Sequence, residues 1–292
     1  MSEIRSVEEL RQLGLERIRA NQIEEAIPLF DQALALAESD ETRELININK
    51  AGAFIALGES TSEVQQLPRI LMRRRTPRHT LLSAYHLGTK FHYEHDFKKA
   101  AFYFGIASEA ADEVQDSGWK AASLVSLGAV AVYDSRNDEA IEFLTEAIEL
   151  LGTTPEQQVT RAFATQNLGY CKLMTGALDE GITLIHSAVE LMIQSGAEGY
   201  SAEANLDLCL GYLEKDDLES ARHFGRLGLE SATETRQIRN AHYLLGEAAY
   251  KAGDVADSEY HFEQLATLYP NFPNLKNLLV AIDLRKMVNF KL

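Results

Sequence analysis

Two cysteines and six prolines in 292 residues leave several architectures without material. Cys171 and Cys209 are too few for the disulfide framework of a small secreted domain or for a thiolate zinc site. Basic charge is scarce: 28 Lys and Arg against 44 Asp and Glu give a net charge of −16. The chain therefore lacks the basic footprint that a nucleic acid or an anionic membrane surface requires. No apolar run approaches the roughly 18–20 residues that span a bilayer. The opening MSEIRSVEELRQ is charged and already periodic, which does not fit a signal peptide, so a reduced, cytoplasmic protein is expected. Alternating β-branched runs bounded by hairpin turns are missing, so no strands are expected. A Gly-rich phosphate loop, a nucleophile elbow and paired metal-binding histidines on one helical turn are missing too. The expectation is a protein without catalytic residues, metal or cofactor. Few prolines and 18 glycines leave little for long linkers, yet the length exceeds one ordinary compact core. Two domains or one extended repeat array would account for it.

What the chain does have is helical periodicity. Residues 81–115, LLSAYHLGTKFHYEHDFKKAAFYFGIASEAADEVQ, predict two antiparallel helices, the first ending near Glu94 and the second beginning after Asp96. Ala100, Phe104 and Ala107 share one face of the second helix, because steps of three and four return to the same side. Small residues at Gly88 and Ala100 allow the backbones to close in, and Phe104 fills the space beside them.

The pattern recurs. Leu13-Gly14 is followed by Ala26, Phe30 and Ala33, and Ala51-Gly52 by Val64, Pro68 and Leu71. Leu127-Gly128 is followed by Ala140, Leu144 and Ala147, and Leu168-Gly169 by Gly181, Ile185 and Ala188. Leu208-Cys209 is followed by Ala221, Gly225 and Gly228, and Leu245-Gly246 by Ser258, Phe262, Leu265 and Pro270. The two small positions are twelve residues apart in every copy. From copy to copy, at positions 14, 52, 88, 128, 169, 209 and 246, the spacing is 38, 36, 40, 41, 40 and 37. A fixed interval within each hairpin and a variable one between hairpins means that the packing contact is conserved in register while helix and turn lengths vary. Seven residues past the first small position come Asn21, His95, Ser135, Gly176, Asp216 and Gly253, mostly turn residues. Ser6 with Glu9, Asn21 with Glu24, Ser60 with Glu63, and Thr154-Pro155 with Gln157 predict capping boxes. The expected organisation is seven hairpins, near 5–39, 42–75, 78–115, 118–151, 155–195, 198–232 and 235–270. A capping helix over 271–292 would then cover the last repeat, with Leu275, Leu278, Leu279, Ile282 and Met287 on one face and a basic end at Arg285, Lys286 and Lys291.

These residues resemble the tetratricopeptide repeat family, whose motif places Leu-Gly at the seventh and eighth positions, Ala at the twentieth, an aromatic at the twenty-fourth, Ala at the twenty-seventh and Pro at the thirty-second. The resemblance covers about residues 7–270 and is strongest in the first, third, fourth and seventh copies. It weakens in the sixth, at Cys209 and Gly225, and is weakest in the second, where Pro68 holds the aromatic position. It implies an all-α right-handed solenoid that binds a partner on the side lined by the first helix of each hairpin. The implied contact positions are the second, fifth, sixth, ninth, twelfth and thirteenth of each repeat. In the third repeat they include Tyr85, His86, Thr89, His92 and Tyr93, and in the fourth Ser126 and Tyr133. In the fifth they include Phe163, Gln166, Asn167 and Tyr170, and in the seventh Asn240, Tyr243 and Glu247. Such rings and amides can grip a peptide backbone, although Tyr is equally at home packed between helices. A carboxylate-clamp co-chaperone is not implied, since Lys50 alone matches the clamp in kind.

Two clusters stand outside the repeat pattern. Arg69, Arg73, Arg74, Arg75 and Arg78 crowd the end of the second hairpin, more cations than a helix C-terminus needs, and would suit an acidic segment of a partner. Pro28 and Pro68 are expected to kink their helices and bend the N-terminal third. His86, His92 and His95 could be imagined on a metal, but His95 falls at a turn and isolated pairs rarely suffice. The function expected is a scaffold that binds a protein or peptide as a monomer or weak homodimer. A signal-responsive regulator that changes shape on binding peptide is the alternative.

Overall fold

The computed structural model describes residues 5–272, 274–281 and 291. Every regular element among them is helical. Residues 1–130 and 131–292 form two compact units, and the division falls inside a helix.

The first unit holds α1 (Val7–Arg19), α2 (Ile23–Leu36), α3 (Asp40–Ala56), α4 (Ser62–Arg73), α5 (Pro77–Tyr93), α6 (Phe97–Glu113) and most of α7 (Ser117–Tyr133). Successive helices from α1 to α6 pack on one another, and α3 also touches α5. Its core runs through Phe30 and Ile46, then through Ile48, Leu67, Leu81 and Leu87. The second unit holds α8 (Asn137–Leu150), α9 (Pro155–Met174), α10 (Leu178–Gln194), a single 3-10 turn at Glu198–Tyr200, α11 (Ser201–Glu214), α12 (Leu218–Ser231), α13 (Thr235–Lys251), α14 (Val255–Thr267) and α15 (Leu275–Ala281). Here too neighbours in sequence are neighbours in space, while α11 additionally packs on α13 and touches α9. The helix α15 rests on α14 with Leu279 buried. Ile282, Arg285, Lys286 and Met287 lie outside the described residues.

All seven first helices end in the same way. The residue in the left-handed region is Asn21, His95, Ser135, Gly176, Asp216 or Gly253 in six of them, with φ between 57° and 89°. In the second hairpin it is Gly58, one place early. The next amide then reaches back five residues: Gln22 to the Arg17 carbonyl (2.8 Å), Asp96 to Phe91 (2.9 Å), Asp254 to Ala249 (2.9 Å). This is the Schellman closure, which satisfies carbonyls that the helix leaves open. Asn21 therefore stops α1 and does not cap α2. Of the four expected capping boxes, Ser6 with Glu9 forms completely, and Thr154 accepts from the Gln157 amide. Ser60 yields the cap position to Thr61, which makes no side-chain bond. Pro28 and Pro68 both sit inside helices that remain single elements.

Side-chain geometry explains the interval of twelve. A Cβ built on Gly14 would lie 2.6 Å from the Phe30 ring, one on Gly88 2.6 Å from Phe104, and one on Gly169 2.6 Å from Ile185. Gly246 is closed in the same manner by Phe262. The eighth-position glycine is thus the socket for the twenty-fourth-position side chain, at native packing density. The sixth hairpin inverts the pair. Its bulk is Cys209 and its socket is Gly225, where a Cβ would stand 3.0 Å from the Cys209 sulfur and 2.7 Å from Leu245. In the second hairpin the ring of His86 from α5 fills the space beside Gly52.

Candidate functional site

In the third hairpin the expected contact residues are largely used up by packing. The Tyr85 ring meets Phe104 edge-on at 5.5 Å and Trp119 at 5.0 Å, and its hydroxyl accepts a 3.5 Å bond from Ser126. His86 is pressed against Gly52, and burial pushes its imidazole down to about 4, so it is neutral there. Thr89 donates to the Tyr85 carbonyl at 3.1 Å. His92 packs edge-on to Phe97, and His95 does the same from the turn. Tyr93 is strongly exposed, at 59%, and the turn residue His95 is exposed as well, while Tyr85, His86, Thr89 and His92 are half-buried. Among the described residues no three His, Cys, Asp or Glu side chains converge as a metal site would require.

The arginine cluster does not form one patch either. Arg73 and Arg75 both donate to Glu44, at 3.0 and 2.7 Å, neutralising a carboxylate that is only 8% exposed. Arg78 pairs with Asp116 at 3.0 Å and lies over the Trp119 ring at 5.8 Å. Arg74 ends α4 in the left-handed region, with φ 44°. Arg69, with Arg43, Arg73 and Arg75, lines a cleft of about 300 Å³ whose walls also carry Asp40 and Glu44. Lys50 bridges Asp31 at 2.7 Å and Glu63 at 3.0 Å.

The second unit is different. On its first-helix side the side chains converge on charge. Glu203 and Asp207, one turn apart on α11, face the same way. Arg236 from α13 grips both oxygens of Glu203, at 3.0 and 2.9 Å, in the bidentate fork that guanidinium and carboxylate favour. Gln166 from α9 donates to Asp207 at 2.9 Å. Lys291 donates to both Asp207 oxygens at 2.9 and 2.8 Å and to Glu203 at 2.9 Å. Its ammonium also sits 4.5 Å from the centre of the Tyr170 ring. Gln166, Tyr170, Asp207 and Lys291 are all less than 5% exposed. Burial pushes the Asp207 carboxyl up, to about 6, against the pull of Lys291. Glu203 is buried as well, but Lys291 and Arg236 together hold it down, at about 2. Burial raises the Tyr133 and Tyr170 hydroxyls. It also pushes both Cys171 and Cys209 up to about 12, so neither thiol is a ready nucleophile. Among the other expected residues, Phe163 packs edge-on to Tyr200, Asn167 donates to the Phe163 carbonyl, and Tyr243 and Glu247 are buried on α13 while Asn240 is half-buried. Between α13 and α14, His242 and His261 share one hydrogen bond between their Nδ1 atoms at 3.0 Å, with Asp257 3.7 Å from the far nitrogen of His261.

Comparison with solved structures identifies the architecture. The apo form of RapI superposes with a TM-score of 0.69 at 12% identity, over 94% of this chain and 79% of that one. A Rap protein complexed with competence and sporulation factor gives 0.62 at 15% identity, over 92% of this chain and 76% of that one. A signal-transduction ATPase with a tetratricopeptide repeat sensor from Pyrococcus horikoshii gives 0.67 at 13% identity, over 94% of this chain but 44% of that one. This chain has the tetratricopeptide-repeat fold. No family model and no curated protein matches its sequence.

Counted in tetratricopeptide positions, Glu203 and Asp207 are the second and sixth residues of the sixth repeat. They are contact positions by the same rule that singled out Gln166 and Tyr170. Their repeat departs from the motif at Cys209 and Gly225, but the contact positions are unaffected by that departure. Arg236 precedes the contact positions of its repeat, and Lys291 lies beyond the repeats; no tetratricopeptide rule points to either.

Proposed function

We propose that the chain is a non-enzymatic scaffold that binds a segment of a partner protein, or a peptide, against the first-helix side of α9, α11 and α13. The observation that carries this reading is the concentration of polar and aromatic side chains at the contact positions of those three helices. Gln166, Tyr170, Glu203, Asp207, Tyr243 and Glu247 have no part in the socket packing that builds each hairpin. Two Rap proteins of the same fold are described with bound ligands, one with competence and sporulation factor and one with the Phr* peptide. The arginine-lined cleft of the first unit is proposed as a second contact, suited to an acidic side chain. The test is peptide display on the immobilised full chain. Recovered peptides should lose binding on Tyr170→Ala and Asp207→Asn and keep it on substitutions of exposed second-helix residues such as Ile193→Ala. Peptides indifferent to the first-helix substitutions would overturn the reading.

The likeness to Rap regulators favours a second reading, in which binding changes the shape of the array. Small-angle scattering with and without a recovered peptide separates the two: a changed radius of gyration supports the regulator, an unchanged one the passive scaffold.

A further inference from the structure

The cleft in the first unit is built from two matching helix faces. Asp40, Arg43, Glu44 and Asn47 follow one another along α3 at steps that keep to one side of a helix. Gln66, Arg69, Ile70 and Arg73 do the same along α4, and Arg75 joins them from the turn that follows. The tetratricopeptide contact positions on α3 are Ile46, Asn49, Lys50 and Ala53, so the cleft lies apart from the groove positions. Its guanidiniums are held but not used up. The buried Glu44 takes one N–H from Arg73 and one from Arg75, and Arg43 gives its Nε–H to the Ala37 carbonyl. Each of these forks keeps its other donors. Arg69 makes no hydrogen bond or ion pair among the described residues. Four arginines against Asp40 and Glu44 leave the lining with two positive charges in excess. The next charges along the chain, Glu41 and Arg74, offset each other, and Glu63, a turn before Gln66, is paired with Lys50.

We propose that this cleft receives a phosphorylated side chain of a partner protein. The inference rests on the acidic contact proposed above for the cleft and adds which acid it selects. A carboxylate brings one charge and two oxygens. A phosphate monoester brings about two negative charges near pH 7 and three oxygens. The phosphate matches both the excess charge and the surplus of donors, and guanidinium forks bind its oxygens bidentately. Glu44 is a positioning residue: by taking one N–H from each of Arg73 and Arg75 it fixes both before a ligand arrives, so less side-chain freedom is lost on binding. A cleft of about 300 Å³ has room for the tetrahedral group and the first atoms of the chain that carries it. The rim favours a chain over free phosphate. Met72 follows Arg69 by one helical step and is 84% exposed, and Leu36, 47% exposed, precedes the Ala37 whose carbonyl holds Arg43. Both offer apolar surface to the residues flanking a phosphorylated one, and a free phosphate has no use for either.

The test uses the full chain and fluorescent nonapeptide pools with mixed flanks around a central phosphoserine, glutamate or serine, read by fluorescence anisotropy. The phosphoserine pool should bind about tenfold more tightly than the glutamate pool, and the serine pool more weakly than either. Tyr170→Ala, which removes groove binding, should keep that order. Arg69→Gln breaks no internal bond, so it should abolish the phosphoserine preference with an unchanged melting temperature. Arg78→Gln, an equal loss of charge outside the cleft, should retain the preference. Inorganic phosphate should displace the phosphoserine pool only at concentrations about a hundredfold or more above the Kd of the pool. Equal binding of the phosphoserine and glutamate pools, both lost in Arg69→Gln, overturns this inference and leaves the acidic contact standing. Binding of neither pool, or binding indifferent to Arg69→Gln, overturns the acidic contact and the inference with it. Displacement by inorganic phosphate near the Kd of the pool overturns the partner segment as the ligand and assigns the cleft to a small phosphate.

Discussion

The third and sixth hairpins occupy equivalent places in the repeat pattern and have opposite fates. The third, α5 with α6, has the intact signature of Gly88, Ala100, Phe104 and Ala107, and its contact side chains are taken up by packing within it and against the neighbouring hairpins. Tyr85 is held by Phe104 and Trp119, and His86 is spent in filling the socket of Gly52. The sixth, α11 with α12, departs from the signature at Cys209 and Gly225, yet it carries the two carboxylates around which the charged cluster forms. A well-kept motif reports how well a hairpin packs. It carries no information about what the hairpin binds, because the socket positions and the contact positions are different residues.

The largest effect that would break this contrast comes from making the sixth hairpin resemble the third. Gly225→Phe should destabilise by about 3 kcal/mol or more, since even a Cβ there meets Leu245 and Cys209. Adding Cys209→Gly should restore at least about 1 kcal/mol, because it moves the socket back to the eighth position. Urea denaturation of the two single variants and the double variant measures the coupling, and strict additivity would contradict the inverted socket. Tyr85→Ala should cost about 2–4 kcal/mol, through lost ring packing. It should leave peptide binding by the second unit unchanged, whereas Tyr170→Ala should abolish binding.

A smaller effect, of about 1–2 kcal/mol, is expected from pH. Burial holds His261 down, at about 4, below its ordinary 6.5, and lowers His242 as well. A depressed histidine favours the folded state while neutral, so its contribution is complete above pH 6.5 and is lost as pH falls from 6.5 towards 4. Asp207, raised by burial to about 6, acts in the opposite direction, contributing most below pH 4 and losing that contribution as pH rises through 6. Melting temperatures from pH 7 to 4.5 should therefore fall less steeply in His261→Asn than in wild type, and more steeply in Asp207→Asn. The smallest effect is at Arg78. Its ion pair with Asp116 is partly exposed on both sides, so Arg78→Ala should cost about 0.5 kcal/mol by urea denaturation.

The fold was legible because its determinants are local. An interval of twelve, a small residue and a ring fix each hairpin, and the left-handed turn falls seven residues after the first small position in six hairpins out of seven. The site was legible only in part, for a physical reason. Gln166 and Tyr170 follow from repeat arithmetic, and so do Glu203 and Asp207 once a degenerate signature is not taken for an uninformative repeat. Whether a tyrosine packs or binds depends on neighbours from other hairpins. Trp119 against Tyr85 and Lys291 against Tyr170 are contacts 34 and 121 residues apart in sequence, and no periodicity encodes them. Adjacency in sequence groups the arginines into one patch, and it does not show what each of them pairs with. The buried Glu44 that absorbs two of them comes from another helix.

The contact between Gly52 and His86 has a consequence for how this chain can be cut and rebuilt. In the first, third, fifth and seventh hairpins the glycine socket and its plug belong to the same unit of about forty residues, so removing a neighbouring hairpin leaves those sockets filled. The second hairpin borrows its plug from the third. Deleting the third alone would open a void beside Gly52, and inserting a foreign module between them would do the same. Any truncation series or chimera should treat residues 40–113 as one indivisible block and place its junctions elsewhere.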